Sequence, residues 1–182
     1  MKATGIVRRI DDLGRIVIPK EIRRTMRIRE GDPMEIFTSR EGEILLKKYS
    51  PVGELSEFAT TLAESLAVVL GELVCITDRD YVIAAAGAGK KDFDGKVLDM
   101  QMQSAIDKRS NVVLTGDKKD MFKIITNDEK NYERQVVATI LSNGDSIGAI
   151  VVISKDIEKN QGDFILQIAK TAALFLGRHL EQ

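Results

Sequence analysis

Tryptophan is absent from the 182 residues, which hold one cysteine, one histidine and three prolines. The single cysteine, Cys75, excludes an internal disulfide and fits a reducing compartment. One Cys and one His, His179, far apart in the chain, exclude a zinc site of the usual nitrogen-and-sulfur kind. No run approaches the ~20 apolar residues of a membrane span. Arg8, Arg9, Asp11 and Asp12 interrupt the N-terminus before a signal-peptide core can form. A soluble, cytoplasmic protein without metal, cofactor or membrane partner is expected. Aromatics are scarce at 5%, and residues 1–36 contain none.

Apolar residues make up 43% of the chain, enough for a packed core. The net charge of −1 conceals an asymmetry. Residues 1–50 carry twelve Lys/Arg against eight Asp/Glu, and residues 51–182 carry fifteen against twenty. Opposite signs in the two parts argue for domains with different partners. Within 1–29 the balance is nine basic residues against three acidic ones.

The first fifty residues read as short β elements around one helix. Ile6–Ile10 and Arg15–Ile18 are rich in β-branched residues, with Asp11-Asp12-Leu13-Gly14 as the turn between them. Pro19 suits a helix start, and Glu21 its positive end. Ile22 and Met26 share one face of that helix, while Lys20, Arg24 and Arg27 line another. Met34–Ser39 and Glu43–Tyr49 read as a second hairpin. With about a dozen large apolar side chains, so short a stretch cannot bury enough surface alone; chains below roughly 60 residues seldom do. An obligate dimer sharing one core is expected.

Ser50-Pro51 offers a cap and a first-turn proline. Glu54 to Leu70 then places Leu55, Phe58, Leu62, Leu66 and Val69 at helical spacing, so 51–71 is expected to be a linking helix. From residue 72 onward a second β-rich unit begins. LVCITDRDYVIAAAG is two apolar strands around Asp78-Arg79-Asp80, and Val97 to Arg109 reads as a helix. Val136–Leu141 and Ile147–Ser154 flank Asn143-Gly144, a strong hairpin signal. Asp163 to Leu180 reads as a closing helix whose polar stripe is interrupted by Leu174, a candidate helix–helix contact. The fold class is α+β.

The basic residues carry the functional signal. Arg8 shares strand parity with Ile6 and Ile10, and Arg9 with Val7, so the arginines must turn out at the rim of a small barrel. Arg15 follows the turn glycine, and Arg23 and Arg24 lie off the Ile22/Met26 face. Guanidinium is planar, always charged and weakly hydrated, which suits phosphate and guanine. Nearby acids sit in the turn, apart from Glu21, so a neutralised surface is the weaker reading. Single-strand and RNA modules stack bases on aromatics, and none is present here. One helix also falls short of a helix-turn-helix. Double-stranded DNA is the expected partner.

TGIVRRIDDLGRIVIPKEIRRTMRIREGDPMEIF resembles the AbrB-type swapped-hairpin DNA-binding family, through its DDLGR and IPKEIRR motifs. The resemblance covers about the first fifty residues. It implies two chains interleaving hairpins into one dimeric barrel, with Arg8, Arg9, Arg15, Arg23 and Arg24 as DNA contacts. The two hairpins of 72–182 resemble the first and last strand pairs of a GAF sheet, a fold that serves small-molecule sensing or oligomerisation. Over its length the chain resembles regulators of spore-forming bacteria that join these two parts. That resemblance implies a repressor and activator of sporulation genes, acting in the forespore, with tetramers formed through the linking helix and GAF-like unit. DNA of this family is read more by shape than by a base code, which fits arginines without Asn or Gln. The alternatives are a MazE-like antitoxin, against which the long second domain counts, and an oligomerising ligand-binding module.

Other motifs carry no chemistry. AAAGAGKKD lacks the glycine of a phosphate loop at Ala84 and its magnesium-binding hydroxyl at Lys91. Cys75 lies in an apolar strand and reads as a buried thiol. His179 has no nucleophile partner and suits a helix C-terminus. Asp78 and Asp80 read as turn residues. No catalytic site is expected.

Overall fold

The computed structural model describes residues 5–116, 119–129, 132–155 and 161–181. The chain divides into two compact units, Met1–Tyr49 and Ser50–Gln182.

In the first unit, α1 (Lys20–Thr25) follows Pro19, whose fixed φ sets the helix entry. A hairpin of β1 (Met34–Thr38) and β2 (Ile44–Lys48) pairs Met34 with Lys48 through to Thr38 with Ile44. Ile6–Ile10 and Arg15–Ile18 are not strands, contrary to expectation. The turn between them does close, by Gly14 N–H to Asp11 O at 3.0 Å and Asp11 N–H to Arg15 O at 3.1 Å. Ile6, Val7, Ile10, Ile16 and Val17 are all exposed, so a single chain supplies no apolar cover to hold a ladder there. Pro19 is the sole buried residue among those described in this unit. Twelve of its large apolar side chains are exposed, from Phe37 at 41% to Val7 at 86%.

The second unit is built on a five-stranded antiparallel sheet of order β4-β3-β7-β6-β5. Its strands are β3 (Leu73–Thr77), β4 (Val82–Ala86), β5 (Asn111–Thr115), β6 (Arg134–Ser142) and β7 (Asp145–Ser154). The three inner strands are apolar at nearly every position because both faces are covered. On one face Val74, Ile76, Val136, Ala138, Ile150 and Val152 meet α3 (Ser56–Leu70) and α5 (Gly162–His179). On the other, Cys75, Val137, Val151 and Ile153 meet α4 (Met100–Asp107) through Met102, Ala105 and Ile106.

The segment read as a linking helix is broken at Leu55 into α2 (Pro51–Glu54) and α3. Of the expected face, Leu66 is buried, Leu55, Phe58 and Leu62 pack half-buried against the core, and Val69 is exposed; Ala59 and Ala63 complete the buried face. Small residues bring α3 close to β3 and β4, and Leu62 is left at the edge. The helix expected over 97–109 is shorter. Val97 and Leu98 form isolated bridges to Tyr81 and Ile125, and Asp99 caps the helix by accepting from Gln101 N–H at 2.9 Å. Strand β5 was not anticipated.

Two glycines allow this packing. A β-carbon on Gly148 of β7 would strike the Thr77 carbonyl oxygen, and one on Gly177 of α5 would strike that of Leu141. Backbone rather than side chain is struck in both cases, so neither neighbour can swing away.

Candidate nucleic-acid interface

Arg8, Arg9, Arg15, Arg23 and Arg24 are all exposed. Arg8 and Arg9 stand on the extended stretch before the turn, Arg15 directly after it, and Arg23 and Arg24 on the last turn of α1. The side chains of Arg8, Arg9, Arg23 and Arg24 make no hydrogen bond or ion pair among the described residues.

Arg15 differs. Its Nε donates to Asp11 Oδ2 at 2.8 Å, while Asp11 Oδ1 accepts from the Arg15 backbone N–H at 2.8 Å and from Leu13 N–H at 3.1 Å. The Arg15 N–H and guanidinium together hold the Asp11 carboxyl below the usual carboxylate range. One turn carboxylate thus shapes the loop and aims the arginine. The Arg15 side chain keeps 69% exposure, so this pair is a weak, solvated one. The turn role assigned to Asp11 from sequence missed this second job, for which Asp-x-x-x-Arg across a turn is the signal.

A buried carboxylate supports the rear of α1. Asp32, whose side chain is 1% exposed, accepts from Lys48 Nζ at 2.9 Å and from Arg29 N–H at 2.7 Å. Burial alone would raise its pKa, but those donors prevail and hold it low. Lys48 Nζ also donates to the Arg27 carbonyl at 3.2 Å, tying β2 to the chain just after the helix.

The family described as "Stage V sporulation protein T C-terminal, transcription factor" matches residues 54–181. Stage V sporulation protein T of Bacillus subtilis (strain 168) is 50% identical over 182 residues, all of both chains. The chain belongs to the stage V sporulation protein T family. It is accordingly a DNA-binding transcription regulator of sporulation. The family described as "Antidote-toxin recognition MazE, bacterial antitoxin" matches residues 7–54. Transition state regulatory protein AbrB of the same organism is 47% identical over 78 residues, 40% of this chain and 80% of that one. The antitoxin reading does not hold. The relation to stage V sporulation protein T spans the full length, and the region after the MazE match is a domain with its own sheet. Among solved structures, the cofactor-binding GAF domain of the nutrient sensor CodY from Clostridium difficile superposes with a TM-score of 0.52. It is 19% identical and covers 66% of this chain and 83% of that one, which shows the GAF fold.

In this member of the stage V sporulation protein T family, the α4 side of the GAF sheet is occupied by its own chain. Met121 and Ile124 are buried there, and Gln135 clamps the loop by accepting from Phe122 N–H at 2.9 Å and donating to Phe122 O at 3.0 Å. The Tyr132 hydroxyl donates to Asp128 at 2.9 Å. Burial, with the Asp128 charge beside it, pushes the Tyr132 pKa up. Cys75 is fully buried, and burial raises its thiol far above the range where it would ionise. Asp78 and Asp80 lie in the β3–β4 turn, as expected, and are buried there. Asp78 Oδ1 accepts from Asp80 and Tyr81 N–H at 2.7 Å each, and Oδ2 accepts from the Ser50 hydroxyl at 2.7 Å. His179 does more than sit at a helix end: it stacks on Phe58 with ring centroids 5.1 Å apart. Among the described residues no group of three or more His, Cys, Asp or Glu could hold a metal. No helix there is long and apolar enough to cross a membrane.

Proposed function

We propose that two copies of residues 1–50 interleave into one barrel, and that Arg8, Arg9, Arg15, Arg23 and Arg24 of each copy grip the phosphates of double-stranded DNA. The observation that supports this most is the contrast within the first unit. Its apolar side chains lack a core in a single chain, and four of its five candidate arginines have no intramolecular partner among the described residues. A second copy supplies the missing apolar cover and doubles the cationic face. Ten guanidinium groups make affinity strongly salt-dependent, with ~6–10 phosphate contacts losing ~10³–10⁵-fold between 50 and 200 mM salt.

The second unit, residues 72–182 with the helix at 51–71, joins such dimers into tetramers. An open groove of about 430 Å³ between α3 and α5 supports this role; it is lined by Leu66, Gln167, Ile168, Thr171, Ala172 and Phe175. Val68, Val69, Phe164, Leu174 and Phe175 add exposed apolar surface on the same two helices. Oligomerisation ranks ahead of a small-molecule effector, because the protein's own side chains fill the α4 side of the sheet. The site of action is the cytoplasm of the forespore, and the chain performs no catalysis.

The test is a titration of duplex DNA across salt with the double variant Arg23→Ala, Arg24→Ala. Lost affinity and a shallower salt slope, with fold and oligomer retained, are expected. Unchanged affinity would sink the proposal. A melting temperature that climbs with the concentration of an added small molecule would promote the effector reading.

A further inference from the structure

Helices α1 and α4 end in the same way, and each places an arginine where glycine is the usual residue. After α1, Ile28 N–H bonds Arg23 O at 2.8 Å and Arg27 N–H bonds Arg24 O at 3.3 Å, with Arg27 at φ 56°. After α4, Ser110 N–H bonds Ala105 O and Arg109 N–H bonds Ile106 O, both at 2.9 Å, with Arg109 at φ 55°. This left-handed cap strains any residue with a β-carbon, and helices commonly fill it with glycine. An arginine held there calls for a reason in its side chain.

For Arg109 the reason lies within the chain. Its Nη2 donates to the Gly144 carbonyl at 2.6 Å, fastening the end of α4 to the turn between β6 and β7. The Arg27 backbone is held just as firmly, since its carbonyl accepts from Lys48 Nζ and Lys48 is in turn bonded to buried Asp32. Yet the half-buried Arg27 side chain makes no hydrogen bond or ion pair among the described residues. The backbone is locked in a strained conformation, and the guanidinium makes no polar contact among the described residues.

We propose that Arg27 is a further DNA-contacting residue, meeting a phosphate beside those gripped by Arg23 and Arg24 at the same helix end. This rests on the interface described under Proposed function. The left-handed backbone turns the chain after α1 and sets Arg27 one residue beyond the helix cap, off the helix itself. Asp32 and Lys48 act as positioning residues for it.

Glycine and alanine at position 27 separate the side chain from the backbone. In the full-length protein, Arg27→Gly relieves the strained cap while removing the charge, and Arg27→Ala removes the charge alone. Both are titrated against one duplex DNA that the unaltered protein binds, from about 50 to 200 mM salt. Each variant is expected to lose roughly 10- to 30-fold in affinity near 0.15 M salt. The slope of log K on log salt should shrink by about 2 per dimer, for two lost phosphate contacts. Melting temperature should hold or rise for Arg27→Gly and stand lower for Arg27→Ala.

Unchanged affinity and slope in Arg27→Gly would overturn the proposal. So would a fall in its melting temperature or dissociation of the oligomer, because the guanidinium would then serve the fold or the other protomer. The double variant at Arg23 and Arg24 is the benchmark. If it loses binding while Arg27→Gly does not, the role of Arg27 alone fails; if neither loses binding, the arginine interface fails as a whole.

Discussion

The two units of this protein treat apolar surface in opposite ways. In the second, Val74, Ile76, Val136, Ile150 and Val152 are at most 1% exposed, and the sheet is covered on both faces. In the first, Ile10, Val17 and Ile44 have comparable hydrophobicity, yet each is more than half exposed. Composition does not separate these regions; the means of burial does. Five strands in one chain make a sheet that helices can cover from both sides. A helix and one hairpin cannot enclose their own side chains. The lesson concerns the placing of function. The unit with a complete core can stand as a rigid platform. On the function proposed above, the unit without one pairs with a second copy, and the symmetry of that pairing repeats its arginines for a two-stranded polyanion.

The contrast breaks most visibly at Gly177. Replacing it with alanine drives a β-carbon into the Leu141 carbonyl oxygen. A loss of about 3 kcal/mol is expected, confined to the second unit's unfolding transition and read by thermal or denaturant melting. Next in size is concentration. If the first unit's core is shared between chains, each tenfold dilution removes about 1.4 kcal/mol from its transition. A first-unit transition independent of concentration would erase the distinction between the units.

A smaller effect falls on Ser50, which accepts from Gly53 N–H at 3.1 Å as a helix cap and donates to Asp78 at 2.7 Å. Ser50→Ala should cost about 1 kcal/mol in the second unit and leave the first unit's melting unchanged. The smallest effect is titration of Asp32. Its folded pKa lies below the ordinary value of 3.8, so its contribution is complete above that value. It is lost as the pH falls through the lower folded value. Asp32→Asn should remove this increment at neutral pH and flatten the first unit's stability profile below about pH 4.

Elements announced by local chemistry were legible. Asn143-Gly144 between apolar runs gives the β6–β7 hairpin, and the apolar period of 163–180 gives α5. The arginines of 8–24 stood out because charge in a β-branched, aromatic-free stretch has few structural uses. Strand β5 was not legible, because Asn111–Thr115 is short, half-exposed and lies at the sheet edge beside β6. The face of α3 was legible at Leu55, Phe58, Leu62 and Leu66 but not at Ala59 and Ala63, because large apolar residues dominate a helical wheel, while close approach to a sheet favours alanine. Arg27 was visible on its helical face, but a left-handed arginine cannot be told in sequence from an ordinary last-turn one.

By itself the sequence determined the closing helix, the β3–β4 and β6–β7 hairpins and which part of the chain is basic, and it raised the expectation that guanidinium rather than aromatic stacking meets the nucleic acid. These follow from short-range rules of period, turn chemistry and side-chain charge. Only the tertiary structure decided which arginines are occupied and which are idle, that Asp78 and Asp32 are buried anchors, and where glycine is obligatory. Each of those depends on what another part of the chain brings within a few ångströms, a distance that no local pattern records.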